Sequence, residues 1–299
     1  MTYRILSLSG GGIRGILTSS VLERIDDIPG AAWSTDAISR SLTKTADMFA
    51  GTSTGGILAL ALAFGLRPAD ITKLYATRGS EIFDASWARG LSINHLVEAR
   101  YDDEKLRNIL LETFGGASLG DLEAHVVIPT FDLFTGLPRI LHNLPLVEND
   151  AGLSCVEVAL RTSAAPCYFP SWREFIDGGV VANDPSMCAI VRAKQAGIAV
   201  DDIALLSVGT GSYVKKITGR DLDWGLAEWG PRIVDLLLTG GASLAAEQAR
   251  EFLGDRYWRV DPVLKEDIPL DAWQRTDELI ALAHAEPIDE VLEWIAEVW

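Results

Sequence analysis

Apolar residues fall along this chain in two styles, short unbroken runs and longer stretches of helical period, and the two alternate. Tyr3–Leu8 reads as a strand, Gly10-Gly-Gly-Ile-Arg-Gly15 as a tight turn, and Ile16–Ile25 as a helix. A short apolar run at Asp47–Ala50 leads into Gly51-Thr-Ser-Thr-Gly55, followed by a helix of small apolar residues from Thr54 to Phe64. Helical period returns in Ala69–Phe83 and Glu104–Phe114, and Cys155–Thr162 predicts a further helix. His125–Asp132 and Leu137–His142 form a hairpin pattern about Thr135-Gly136. Glu174–Ile176 and Ile203–Val208 predict strands that run into Asp177-Gly-Gly179 and Gly209-Thr-Gly211. The tail from Trp224 to Trp299 is mostly helical, with a strand at Arg256–Val260. Strands separated by helices predict an α/β fold, a three-layer α/β/α sandwich about a mostly parallel central sheet. No repeat or Pro/Ser-rich linker divides the chain. Residues 1–299 are therefore expected to form one domain, in which 1–211 carry the motifs and 212–299 pack on them as a mostly helical part.

In such sheets ligands collect at the carboxyl ends of the strands, and four of these strands end in glycine-rich turns. Gly51-Thr-Ser-Thr-Gly55 fits G-x-S-x-G between a strand and a helix, the setting of a nucleophile elbow that lifts the Ser53 hydroxyl above the sheet edge. The plain alternative is a serine between two loop glycines. Gly10, Gly12 and Gly15 fit the dinucleotide pattern G-x-G-x-x-G, but that reading needs a second strand ending in an acid about twenty residues on. Pro29–Thr45 holds no convincing strand. The other reading is an oxyanion hole, in which the N–H groups of Gly10, Gly11 and Gly12 converge on a developing negative charge. Arg14 would support that loop by charge or hydrogen bonding, and a purely structural turn is the third option. A serine nucleophile needs a base. None of His95, His125, His142 and His284 stands in a glycine-rich strand-end turn, whereas Asp177 does. A carboxylate can serve as the base if burial raises its proton affinity.

Composition narrows the partners. At 48% hydrophobic and 23% charged residues the chain is ordinary globular protein. Its 42 acidic against 26 basic side chains give a net charge of −16, which disfavours nucleic acid and anionic lipid surfaces at long range. Cys155, Cys167 and Cys188 show no metal-ligand spacing, and no metal or cofactor is expected. The N-terminus lacks a signal-peptide pattern, and the uncharged stretch Ile57–Leu66 is half of the ~20 residues a spanning helix needs. A cytoplasmic location is the expectation.

Five blocks together resemble the patatin-like phospholipase family. They are Gly10–Gly15, Gly51–Gly55, Thr162-Ser-Ala-Ala-Pro166-Cys-Tyr-Phe-Pro170, Asp177-Gly-Gly-Val-Val-Ala-Asn183-Asp-Pro185 and Ser207–Gly211, in that order. The stretch Leu226–Arg256 adds to the likeness with bacterial members. The resemblance implies hydrolysis of lipid acyl esters by a Ser53–Asp177 dyad, with Gly10–Gly12 amides holding the oxyanion and Arg14 and Gly15 in support. Asp184 departs from many relatives, which carry Asn or a small residue there. The implied partners are a lipid substrate and transient contact with a membrane surface, with homo-oligomers left open. Two further readings stand beside the constitutive hydrolase. One is the same hydrolase held off until a small nucleotide or protein activates it, as in some bacterial antiphage systems. The other is a catalytically dead scaffold, disfavoured by the intact dyad. Ser80–Arg100 and Tyr213–Trp229, with Phe83, Trp87, Leu91, Trp224 and Trp229, are expected to flank the acyl groove as lids.

Overall fold

A computed structural model describes residues 2–26, 41–83, 99–213 and 226–299. Its strands are β1 (Tyr3–Leu8), β2 (Met48–Gly51), β3 (His125–Asp132), β4 (Leu137–His142), β5 (Phe175–Asp177), β6 (Ile203–Val208) and β7 (Tyr257–Val260). Among the described residues they form one sheet in the order β4-β3-β2-β1-β6-β7, with β5 beside β3. The neighbours from β3 to β7 run parallel, while β4 and β5 are antiparallel to β3. The helices are α1 (Gly15–Asp26), α2 (Leu42–Thr45), α3 (Thr54–Ala63), α4 (Pro68–Phe83), α5 (Glu104–Phe114), α6 (Cys155–Ser163), α7 (Gly179–Ala182), α8 (Ser186–Gln195), α9 (Leu226–Leu253), α10 (Thr276–Ala285) and α11 (Asp289–Val298).

The central strands read as continuous apolar runs because both faces are covered. Alternate residues point to opposite faces. Leu6, Leu8, Phe49, Val126, Ile128 and Leu206 join a core formed with α1, α3, α6, α10 and α11. Ile5, Met48, Ala50, Val127 and Leu205 face the other way, onto α8 and α9. The helix after Gly51-Thr-Ser lacks a polar side because it is buried nearly all round, Leu58, Ala59 and Leu60 being fully inaccessible. Two layers of helices about a mostly parallel sheet are what the alternation of strands and helices predicts.

The register brings two distant segments together. Val127 of β3 pairs with His142 of β4, and β2 ends opposite the first half of β3, with Ala50 level with Val127. Three residues further on, Thr130 pairs with Asp177 of β5. Asp177 therefore occupies the sheet position left vacant where β2 turns away into residues 52–54.

Candidate active site

Ser53 stands at the N-cap of α3 with φ 57° and ψ −124°, a left-handed conformation unusual for a residue with a side chain. The flanking glycines are sterically required there. A Cβ on Gly51 would lie 2.0 Å from the Gly55 carbonyl oxygen, and one on Gly55 would lie 2.2 Å from the Leu8 oxygen. The elbow is held from three sides. The Thr52 N–H donates to Leu8 O (3.2 Å), the Thr52 hydroxyl to Ala182 O (2.6 Å), and the Ser53 N–H to the Thr162 hydroxyl (3.0 Å). The helix beginning at Thr54 directs its positive dipole end at this point.

Asp177 is 5% exposed. Its carboxylate accepts the Gly179 N–H at 2.6 Å and lies beside the Ser53 hydroxyl, which favours its ionised form. Burial pushes its carboxyl up to about 6, against the opposing pull of those two donors. Thr162 ties the two halves together. Its hydroxyl accepts the Ser53 N–H and donates to Pro129 O (2.7 Å), while its carbonyl accepts the Gly178 N–H (3.2 Å). Thr162 stands in a recognised sequence block, but nothing in the sequence distinguishes its hydroxyl from that of any other helical threonine.

The glycine loop lies on the other side of Ser53. The Gly10 N–H donates to Asn183 O at 3.0 Å, so it is not free for an oxyanion, contrary to the expectation from sequence. Gly11 and Gly12 line the same cavity as Ser53 and Asp177. Among the described residues their N–H groups donate to no protein acceptor. Gly12 has φ +59°, and a Cβ there would meet Leu270 O at 2.2 Å, which fits the Ile13 N–H to Leu270 O bond beside it (2.8 Å). The Arg14 guanidinium reaches back to Gly11 O (3.4 Å). Gly15 lets α1 approach α3, since a Cβ would lie 2.4 Å from the Thr54 hydroxyl.

A cavity of about 100 Å³ runs from Ser53 and Asp177 between α3, α4 and α5, walled by residues such as Ile57, Leu74, Ile82, Leu106, Leu110 and Phe114. A second, polar cavity of about 430 Å³ lies across the glycine loop, with Arg14, Arg100, Arg259, Asp261 and Asp271 on its walls. Beneath it lies a buried ionic network that the sequence does not announce. Ser7, Ser207 and Arg259 are level on adjacent strands. The Arg259 guanidinium pairs with Asp184 (2.6 Å) and Asp261 (2.9 Å). Asp184 also accepts the Ser186 N–H (2.9 Å). Asp184 thus has a cation opposite it.

The histidines lie elsewhere. His125 begins β3, level with Met48 at the start of β2, and His142 ends the antiparallel β4, with β3 between it and β2. Burial lowers the proton affinity of each. His284 closes α10, and His95 lies outside the described residues. Of the expected lid segments, residues 84–98 and 214–225 also lie outside them, with Trp87, Leu91 and Trp224. Phe83 lines the apolar cavity and packs edge-on against Tyr101 at 5.6 Å. No described helix is long and apolar enough to cross a membrane, and no described cluster of His, Cys, Asp and Glu could hold a metal.

A profile described as patatin-like phospholipase matches residues 6–190. A cGAMP-activated phospholipase of Pseudomonas aeruginosa strain BWHPSA011 / Pa011 is 32% identical over 269 residues, covering 87% of this chain and 78% of the relative. One from Escherichia coli strain TW11681 is 30% identical over 298 residues, covering 90% and 82%. Patatin-like protein 2 of Oryza sativa subsp. indica is 28% identical over 289 residues, covering 80% and 70%.

Proposed function

Because the chain belongs to the patatin-like phospholipase family, we propose that it hydrolyses fatty-acyl esters of phospholipids and lysophospholipids with Ser53 as nucleophile and Asp177 as base. The observation that carries this reading is a serine on a strained elbow that lines, together with a buried carboxylate, the head of one apolar cavity. A serine hydroxyl is a weak nucleophile until a neighbouring base takes its proton. Asp177, with its proton affinity raised to about 6, is ionised at neutral pH yet basic enough to accept that proton as the Ser53 oxygen attacks the ester carbonyl. The negative oxygen that develops faces the Gly11 and Gly12 N–H groups and the N-terminus of α3. Asp177 then returns the proton to the departing alcohol. Water, deprotonated by the same carboxylate, releases the fatty acid from Ser53. The acyl chain lies between α4 and α5, where the wall is apolar. Wild type should cleave both a short-chain aryl ester and a vesicle phospholipid, and Ser53→Ala neither. Equal activity in the variant would refute the reading.

The names of two relatives favour a second reading of the same site, a hydrolase switched on by a cyclic dinucleotide. Adding cGAMP to the purified chain separates the two. Activation from a silent basal state supports the switched form, and full basal activity supports the constitutive one.

A further inference from the structure

The β3–β4 hairpin ends in an apolar tip that no described residue buries. Leu133 is 51% exposed, Phe134 89% and Leu137 63%. No formal charge occurs between Asp132 and Arg139, in a chain with a net charge of −16. The tip is also held in shape. The Asp132 carboxylate accepts the N–H groups of Phe134 (2.8 Å) and Thr135 (3.2 Å). The Gly136 N–H closes the turn onto Asp132 O at 2.9 Å, with Gly136 at φ +68°. The Leu133 N–H is anchored on Glu174 O (2.7 Å). Three large apolar side chains are thus presented rigidly to solvent, where an ordinary loop would carry polar residues.

Its position gives the tip a use. β3 runs parallel to β2, whose carboxyl end carries Ser53, and Asp177 is level with Thr130. β3 runs two residues beyond Thr130 before turning at Asp132, so the turn that carries Phe134 begins about 7 Å past the level of the carboxylate on the same edge of the sheet. Val181 on α7 and Leu237 on α9 are also exposed, 39% and 53%, and these two helices pack together around Gly179. We propose that Leu133, Phe134 and Leu137 form a finger that inserts into the interface of a zwitterionic lipid surface and seats the Ser53–Asp177 edge on it. This rests on the reading of the chain as a lipid acyl hydrolase.

Charge and area select that occupant. The finger is uncharged while the rest of the chain is acidic, so an anionic surface gains nothing from it and a zwitterionic one loses nothing. A tip of three side chains offers a few hundred Å², short of the ~800 Å² each partner contributes to a standard protein interface. Lipid needs no shape-matched partner, and an aromatic ring flanked by aliphatic chains suits the headgroup boundary.

The test measures partitioning of the full chain onto phosphatidylcholine vesicles by co-sedimentation, in a Ser53→Ala background so that the lipid is not consumed. Phe134→Asp should lower the partition coefficient at least tenfold, and Phe134→Trp should keep it within about twofold. With Ser53 intact, Phe134→Asp should slow vesicle hydrolysis by a similar factor and leave a soluble short-chain ester unaffected. That last readout also shows that the variant folds. An unchanged partition coefficient in Phe134→Asp overturns the proposal. So does sedimentation velocity showing a lipid-free dimer that Phe134→Asp dissolves, which would make the tip an interface between copies. If partitioning falls as expected while wild type hydrolyses no ester with or without cGAMP, the finger stands and the hydrolase reading fails.

Discussion

Replacing Asp177 by Asn should damage the reaction and stabilise the protein, and the two effects should follow different pH laws. The carboxyl of Asp177 is raised from 3.8 to about 6 in the folded chain, chiefly by burial. A carboxyl whose folded proton affinity exceeds its unfolded one binds more protons in the native state. Its ionised form therefore costs stability, increasingly as pH rises from 3.8 towards 6 and by a constant amount above that range. A rise of that size in proton affinity costs about 3 kcal/mol at neutral pH and above. Asn is nearly isosteric, does not titrate, and its carbonyl can still accept the Gly179 N–H. Linkage then makes the advantage of Asp177→Asn over wild type grow by roughly 1.4 kcal/mol between pH 5 and pH 8. Equilibrium urea denaturation at both pH values, followed by far-ultraviolet circular dichroism, reads this directly. Over the same interval the variant should lose about 10⁴-fold in ester hydrolysis, as acyl-transfer sites commonly do when their base is removed. A stability advantage that stays flat or shrinks from pH 5 to pH 8 would refute the argument that burial sets the basicity of this group. Retention of most activity would refute its role as base.

Three other outcomes follow from the same geometry. For wild type, kcat/KM on a soluble ester should fall tenfold per pH unit below an apparent value of about 6, the acid limb of Asp177; a profile flat down to pH 5 would contradict this. Thr162→Val leaves both the Ser53 N–H and Pro129 O without their partner, so urea denaturation should show a loss of about 2 kcal/mol or more, with Thr162→Ser restoring both stability and hydrolysis. Asp184→Ala leaves the Arg259 guanidinium, 12% exposed, with only Asp261 as an ionic partner among the described residues; the loss should be about 3–5 kcal/mol by denaturation, and a cost under 1 kcal/mol would show the pair to be dispensable.

Much of this site is legible because its chemistry sits in local turns. Gly51-Thr-Ser-Thr-Gly55 specifies its own backbone, and a strand that is apolar on both faces, such as Tyr3–Leu8, announces itself without ambiguity. The motif that follows β5 also marks Asp177, although the strand runs through Asp177 where the apolar pattern predicts Glu174–Ile176. What the sequence cannot show depends on register. Arg259 and Asp184 are 75 residues apart and meet because β7 pairs with β6 at Ser207. The loss of Gly10 as an oxyanion donor likewise depends on where Asn183 returns to the loop. Helix α8 escapes the pattern because its buried stripe of Ala189, Ile190 and Ala193 is short and built mainly of small residues.

The central claim is that Ser53 is the nucleophile and Asp177 activates it. Peptide mass spectrometry of the full chain after reaction with a fluorophosphonate tests this most directly. The account predicts one phosphonyl adduct, on the peptide containing Ser53, absent from Ser53→Ala and formed far more slowly in Asp177→Asn. An adduct on a different serine, or a chain that hydrolyses esters while Ser53 stays unmodified and its activity survives the reagent, would contradict it.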